Sequence, residues 1–151
     1  MNETLTKAKS ILLEHIGQDK IMVLATRNGK GVAARTVNIY TYNGLFYLIT
    51  EADSNKYAQI SQNENVALSI DAIQITGYAT LLGHPCSDTH KQISDFVEAQ
   101  LPQQFARYAS KPIMRLIEIK PIHASFLLME TGEGYIIDFE KKTAIPIKYE
   151  M

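Results

Sequence analysis

The sequence has no tryptophan, a single cysteine, no long apolar run and no excess of either charge. Each absence removes a class of protein. Cys86 alone forms no internal disulfide, so a stapled secreted scaffold is excluded. A membrane-spanning helix needs about 20 consecutive apolar residues, and no stretch approaches that. Fifteen basic residues face sixteen acidic ones, for a formal net charge of −1. No global field therefore draws the chain to nucleic acid or to an anionic membrane, and any anion binding must be local. The first residues lack the apolar core of a secretion signal, so the cytoplasm is the expected compartment. There is also no serine in a nucleophile elbow, no conspicuous carboxylate pair and no glycine-rich phosphate loop. No catalytic side chain can be named, and a chain without an evident nucleophile is expected to borrow its chemistry from a cofactor.

What is present is a change of period. Glu3 to Gly17 place Leu5, Ala8, Leu12, Leu13 and Ile16 at helical spacing, with Gly17 as the stop. From Lys20 the pattern turns to strands: Ile21 to Arg27, Val32 to Tyr42 and Leu45 to Thr50, separated by Asn28-Gly29 and Asn43-Gly44. Asn-Gly supplies the positive φ of a two-residue hairpin turn, so two in succession predict an antiparallel meander ending at Thr50. A short helix opens at Asp53 or Ser54 and closes at Asn63 or Asn65. Strands over Val66 to Asp71 and Ile73 to Leu82 follow, Gly77 marking a bulge or a close backbone approach. Ser87 or Asp88 caps a longer helix, and Pro102 restarts a helical segment through Phe105 and Tyr108. Met114 to Ile119 and Ala124 to Met129 are expected as two strands divided at Pro121. The tail from Gly134 to Ile147 is expected as a hairpin or as an arm across a partner. Without repeats or linkers, residues 1–151 form one domain, an α+β fold built on a small closed antiparallel barrel.

The stretch from Thr50 to Asn65 carries the first functional signal. A Ser54 cap would leave the amides of Asn55, Lys56 and Tyr57 pointing out of the helix start, where the Ser54 hydroxyl and the Lys56 ammonium complete a cradle for a phosphate. Arg35 is the second. It interrupts an uncharged strand, and a guanidinium there demands an anion, either an internal carboxylate such as Glu51, Asp53 or Asp71, or the phosphate of a ligand. Around it, Val32, Ala34, Thr36, Asn38 and Tyr40 alternate with Ala33, Arg35, Val37 and Ile39. Neither set is cleanly polar, which predicts core on one face and a partner or ligand on the other. The grouping of His84, Cys86 and His90 matches no familiar zinc spacing, so no metal site is expected.

The segments VLATRNGKGVAARTVNIY and NGLFYLITEADSNKYAQISQNENVALSID, with ITGYATLLG after them, resemble the pyridoxamine-phosphate-oxidase-like family of flavin-binding split barrels. The resemblance covers about Ile21 to Gly83. It implies a six-stranded antiparallel split β-barrel with flanking helices, paired as a homodimer with flavin in clefts at the subunit interface. It further implies that Arg35, Ser54 and Lys56 hold the phosphate of FMN, with Asn55 in the same helix start. Thr36, Val37, Asn38 and Thr50 would line the ribityl chain and flavin edge. The chain lacks the long N-terminal extension and basic C-terminal signature of a true vitamin B6 oxidase, ending in AIPIKYEM. The implied activity is therefore that of the general-stress-protein and nitroimidazole-reductase-like branches: electron transfer from NADH or NADPH to a small acceptor. Related barrels carry a deazaflavin or haem instead, and a carrier or sensor without turnover is the alternative function.

Overall fold

The computed structural model describes residues 2–148 apart from Pro102 and Gln104. Helix α1 (Glu3–Ile16) begins where the Asn2 side chain accepts from Leu5 N at 3.1 Å and ends at Gly17. Its buried stripe, Ala8, Leu12 and Ile16, recurs every four residues and joins the main core.

Strands β1 (Asp19–Asn28), β2 (Gly31–Tyr42) and β3 (Leu45–Glu51) form the expected meander. The second turn is the Asn-Gly pair, with φ of 52° at Asn43 and 76° at Gly44. The first turn differs from expectation. Asn28 pairs with Gly31, so Gly29 and Lys30 are the central residues and only Gly29 has positive φ. Because side chains alternate with period two, this two-residue shift in pairing leaves every side chain on its expected face. It sets Arg35 opposite Leu24, and diagonal to Thr26, instead of opposite Met22. The charge thus has a hydroxyl within reach.

Helix α2 (Asn55–Gln62) leads from β3 into β4 (Asn65–Ile70) and β5 (Ile73–Gly83). A 3₁₀ turn (Asp88–His90), α3 (Lys91–Gln100) and a π-helical turn (Phe105–Ala109) then lie between β5 and β6 (Met114–Leu127). The chain closes with β7 (Gly134–Asp138) and β8 (Thr143–Pro146), the hairpin form of the expected tail. All pairings are antiparallel. β1, β2, β3, β6, β5 and β4 join in that order, and β4 returns to β1, closing a six-stranded barrel with β7 and β8 added beyond β6. The expected helical restart at Pro102 lies outside the described residues, but the π turn occupies the segment predicted to follow it.

Two strands were expected where one is found. β6 runs unbroken through Pro121 because Pro121 falls opposite Gly77, at a register irregularity between Thr76 and Gly77. The missing proline N–H is thereby placed where the ladder is already disturbed. Gly77 makes this fit possible: a Cβ there would lie 2.5 Å from the Lys120 carbonyl oxygen.

The core has two parts. Met22, Leu24, Ile39, Leu48, Leu68 and Phe126 fill the barrel. A second cluster lies outside it, where Val97 and Phe105 cover Tyr40, Tyr47, Ile49 and Leu116. No helix among the described residues is long and apolar enough to cross a membrane. Gly77→Ala should destabilise the protein by about 1–3 kcal/mol, the usual cost of overpacking against unyielding backbone. A chemical-denaturation midpoint no lower than that of the parent would contradict the close approach at Lys120.

Candidate functional site

The hairpin of β2 and β3 does not stay paired. Their register covers Tyr40↔Tyr47, Thr41↔Phe46 and Tyr42↔Leu45 only, after which β3 continues against β6 and β2 against β1. A cavity of about 530 Å³ lies beside this parting. Thr36, Val37, Asn38 and Tyr40 line it from β2, Ile49 from β3 and Lys56 from α2. The outer wall comes from α3 and the π turn, through Val97, Phe105 and Tyr108, with Leu101 between them. The Tyr108 hydroxyl donates to the Ile49 carbonyl at 2.9 Å, tying that wall to β3. Burial raises the phenols of Tyr40 and Tyr108 above their ordinary range, so both are neutral donors at physiological pH. Arg107 also lines the cavity, and no acidic side chain among the described residues does.

At one side of this cavity α2 begins. Ser54 is its cap: Ser54 Oγ accepts from Tyr57 N at 3.2 Å and lies 3.1 Å from the buried Thr50 hydroxyl. Of the three amides expected to be free, Tyr57 N is therefore spent on the cap. Thr50 and Ser54 brace each other under the first turn and do not line the cavity wall. The Asn55 side chain is exposed and likewise absent from the wall.

Arg35 shares the inward face of β2 with Val37 and Ile39, opposite to the face bearing Thr36 and Asn38. Its neighbours are neutral oxygens. Nη1 donates to Leu24 O at 3.2 Å and to Thr26 Oγ1 at 2.8 Å, and Nη2 donates to Gln59 Oε1 at 2.8 Å. None of the carboxylates considered from sequence pairs with it. Among the described residues the two ion pairs are His15–Asp71 and Lys91–Asp95, each at 3.3 Å. Arg35 reaches α2 through Gln59, one turn in, because β2 and β3 have already separated.

Burial holds the Lys56 ammonium below its ordinary value, and the positive charge of Arg35 lowers it further, opposed by Glu51. Burial alone lowers Arg35. Two cations thus sit near enough to repel, and Lys56 has no salt-bridge or hydrogen-bond partner among the described residues. Both charges therefore favour an anion near them.

The structure also brings in residues that sequence reasoning passed over. Gln59 and Thr26 fix Arg35, while Tyr40, Phe105 and Tyr108 shape the cavity. Gln59 follows Lys56 by three residues on α2, a same-face spacing readable from sequence, but its contact with β1 is not. The His84, Cys86 and His90 grouping stands apart. His84 Nδ1 accepts from Cys86 N at 3.1 Å and Nε2 lies 3.0 Å from Lys111 O, so both ring nitrogens are engaged. Among the described residues, no three His, Cys, Asp or Glu side chains converge as a metal site.

The depressed Lys56 pKa has a definite sign. A lysine whose pKa is lower folded than unfolded penalises folding while it is charged, and the penalty is relieved as pH rises through the lowered value. Lys56→Met should therefore raise the melting temperature of the ligand-free protein at neutral pH, by about 1–3 °C. That gain should shrink as the parent is titrated toward alkaline pH. A lower melting temperature, or a gain independent of pH, would contradict the repulsion between Lys56 and Arg35.

No protein-family model and no curated protein matches the sequence. Solved structures do. A Listeria innocua protein assigned as a pyridoxamine 5'-phosphate oxidase superposes with a TM-score of 0.61 at 19% identity, covering 83% of this chain and 98% of the other. General stress protein 26 from Bacillus anthracis str. Sterne gives 0.57 at 17% identity, with 96% and 97% covered. HutZ, the haem storage protein of Vibrio cholerae, gives 0.64 at 10% identity, with 76% and 89% covered. The order of pairing, the parted second and third strands and these superpositions agree: the chain has the split-barrel fold of the pyridoxamine 5'-phosphate oxidase-like proteins.

Proposed function

We propose that this protein binds FMN in the cavity between β2, α2 and the π turn, and that it exchanges electrons between a nicotinamide donor and a small acceptor. The observation that carries the reading is a pair of cations without a salt-bridge partner among the described residues: Lys56 lines the cavity, and Arg35, which is not among its lining residues, lies close enough for its charge to act on Lys56. A phosphate there would relieve their repulsion and gain charge-assisted hydrogen bonds. The similarity to flavin-binding split barrels, read from the stretch around these residues, supports the same assignment.

The remaining residues suit a planar, partly apolar ligand. Between Gly31 and Ile39, β2 has a strand partner only on the β1 side, so backbone groups facing the cavity stand ready for polar atoms of a ring. Val37, Ile49, Leu101 and Phe105 supply apolar contact, and Tyr108 holds the outer wall closed through Ile49. When bound, FMN would supply hydride acceptance and electron release, while the chain binds, orients and excludes water. Haem fits this wall less well. Among the described residues it offers no histidine, cysteine or methionine, and burial disfavours ionisation of its tyrosines, the form that would ligate iron.

The outer face of the barrel supports pairing of two copies. The row Thr36, Val23, Ser69, Gln74, Ser125 and Ile136 crosses six strands without a charge, and Ile21, 63% exposed, lies beside it. Thr36 belongs both to this face and to the cavity wall, so a second copy packed there would cover the ligand. Val23, Ile21 and Ile136 give this row exposed apolar surface that a second copy could cover.

Purified protein incubated with FMN should acquire a flavin absorption spectrum and quench FMN fluorescence, and anaerobic NADH or NADPH should bleach it. No spectral change with FMN would defeat the reading, and binding without bleaching would favour the carrier or sensor alternative. Lys56→Ala should weaken FMN binding about ten-fold or more, one charge-assisted contact being worth roughly 1.5–3 kcal/mol. Equilibrium sedimentation should give twice the 17.0 kDa chain mass, and Val23→Glu should reduce it to one. A parent that sediments as a monomer would exclude the shared site.

A further inference from the structure

We propose that Gln59 is a positioning residue that holds the Arg35 guanidinium in place while leaving its charge intact, so that Arg35 can receive the phosphate of a flavin nucleotide. The inference rests on the flavin-nucleotide reading above and names how its phosphate would be recognised.

The geometry is a fork held at one end. Thr26 Oγ1 donates to Gln59 Oε1 at 2.6 Å, and these two oxygens accept from Nη1 and Nη2 of Arg35, each at 2.8 Å. Leu24 O takes the other Nη1 hydrogen at 3.2 Å. A guanidinium has five N–H donors. Three are spent, and the Nε–H with the second Nη2–H, which form the side of the fork, have no partner among the described residues. That side is the planar bidentate edge suited to a phosphate or carboxylate. The amide of Gln59 is oriented by this arrangement, since only its oxygen can accept from both Nη2 and the Thr26 hydroxyl.

The chemical identity of the latch matters as much as its position. A buried arginine is ordinarily paired with a carboxylate, whereas Arg35 is partly buried and hydrogen-bonded to oxygens alone. Here the latch consists of a hydroxyl, an amide and a backbone carbonyl, none of them charged, so Arg35 is aimed without being neutralised and its field still reaches Lys56. Gln59 is also placed to do this through α2 itself. Ser54 caps that helix, Lys56 and Gln59 lie three residues apart on it, and one element therefore presents the ammonium and holds the guanidinium.

Gln59→Glu isolates the effect. It keeps the shape and both acceptor positions but gives Arg35 an internal counter-charge. The test compares FMN with riboflavin, which lacks only the phosphate, by fluorescence titration of parent and variant, with the melting temperature of each ligand-free protein. The parent should bind FMN far more tightly than riboflavin. In Gln59→Glu the FMN affinity should fall about ten-fold or more with riboflavin affinity unchanged, and the ligand-free variant should melt no lower than the parent. Gln59→Met, which removes the acceptor, should also narrow the preference for FMN and serves if the glutamate variant fails to fold. A preference for FMN that survives both substitutions would overturn the role of Gln59 and leave the flavin reading standing. A parent that binds neither compound would overturn the flavin reading, and the inference with it.

Discussion

The site depends on where a hydrogen-bond ladder stops. Backbone groups in a sheet must be paired, and β3 meets that demand from Phe46 onward by pairing with β6. β2 cannot follow, because from Gly31 to Tyr40 it is held by β1. The hairpin between them is therefore shared over three residue pairs and then opens. Closing the barrel through β3 and β6, and opening a cavity beside β2, are two results of one pairing choice.

That opening explains why the second apolar cluster exists. Tyr40, Ile49 and Leu116 point away from the barrel and would be wetted if the segment between β5 and β6 were short. Instead α3 and the π turn return over them, burying apolar surface at roughly 25 cal/mol per Å² and leaving the cavity between the two layers. The wall that gives the cavity its depth is also held by one phenol to carbonyl bond, Tyr108 to Ile49. Packing and ligand space are thus built from the same residues.

Electrostatically the site is held in a state that costs stability. Arg35 and Lys56 repel, both are partly desolvated, and the oxygens around Arg35 are neutral. An anion bound there, as proposed above, would offset this cost, and binding sites commonly sit in the less favourable parts of a fold.

Much of this was legible in the sequence. The change from helical to alternating period, the Asn-Gly pairs, the Ser54 cap and the isolated charge of Arg35 are local signals, and local backbone chemistry determines helix starts, turns and strand faces. The unbroken β6 was not legible, since Pro121 is tolerated only because Gly77 lies across from it, 44 positions earlier in the chain. Nor were the parting of β2 from β3 and the latch of Thr26 and Gln59. Both are decided by which distant strand wins a hydrogen-bond ladder, and that competition is settled by closure of the whole barrel. Sequence by itself determined an arginine alone in an uncharged strand and a lysine in the first turn of a serine-capped helix. Only the tertiary structure decided that Arg35 approaches from the inner face of its strand, aimed by neutral oxygens, because strand register and the seat of α2 on β1 are properties of the assembled barrel.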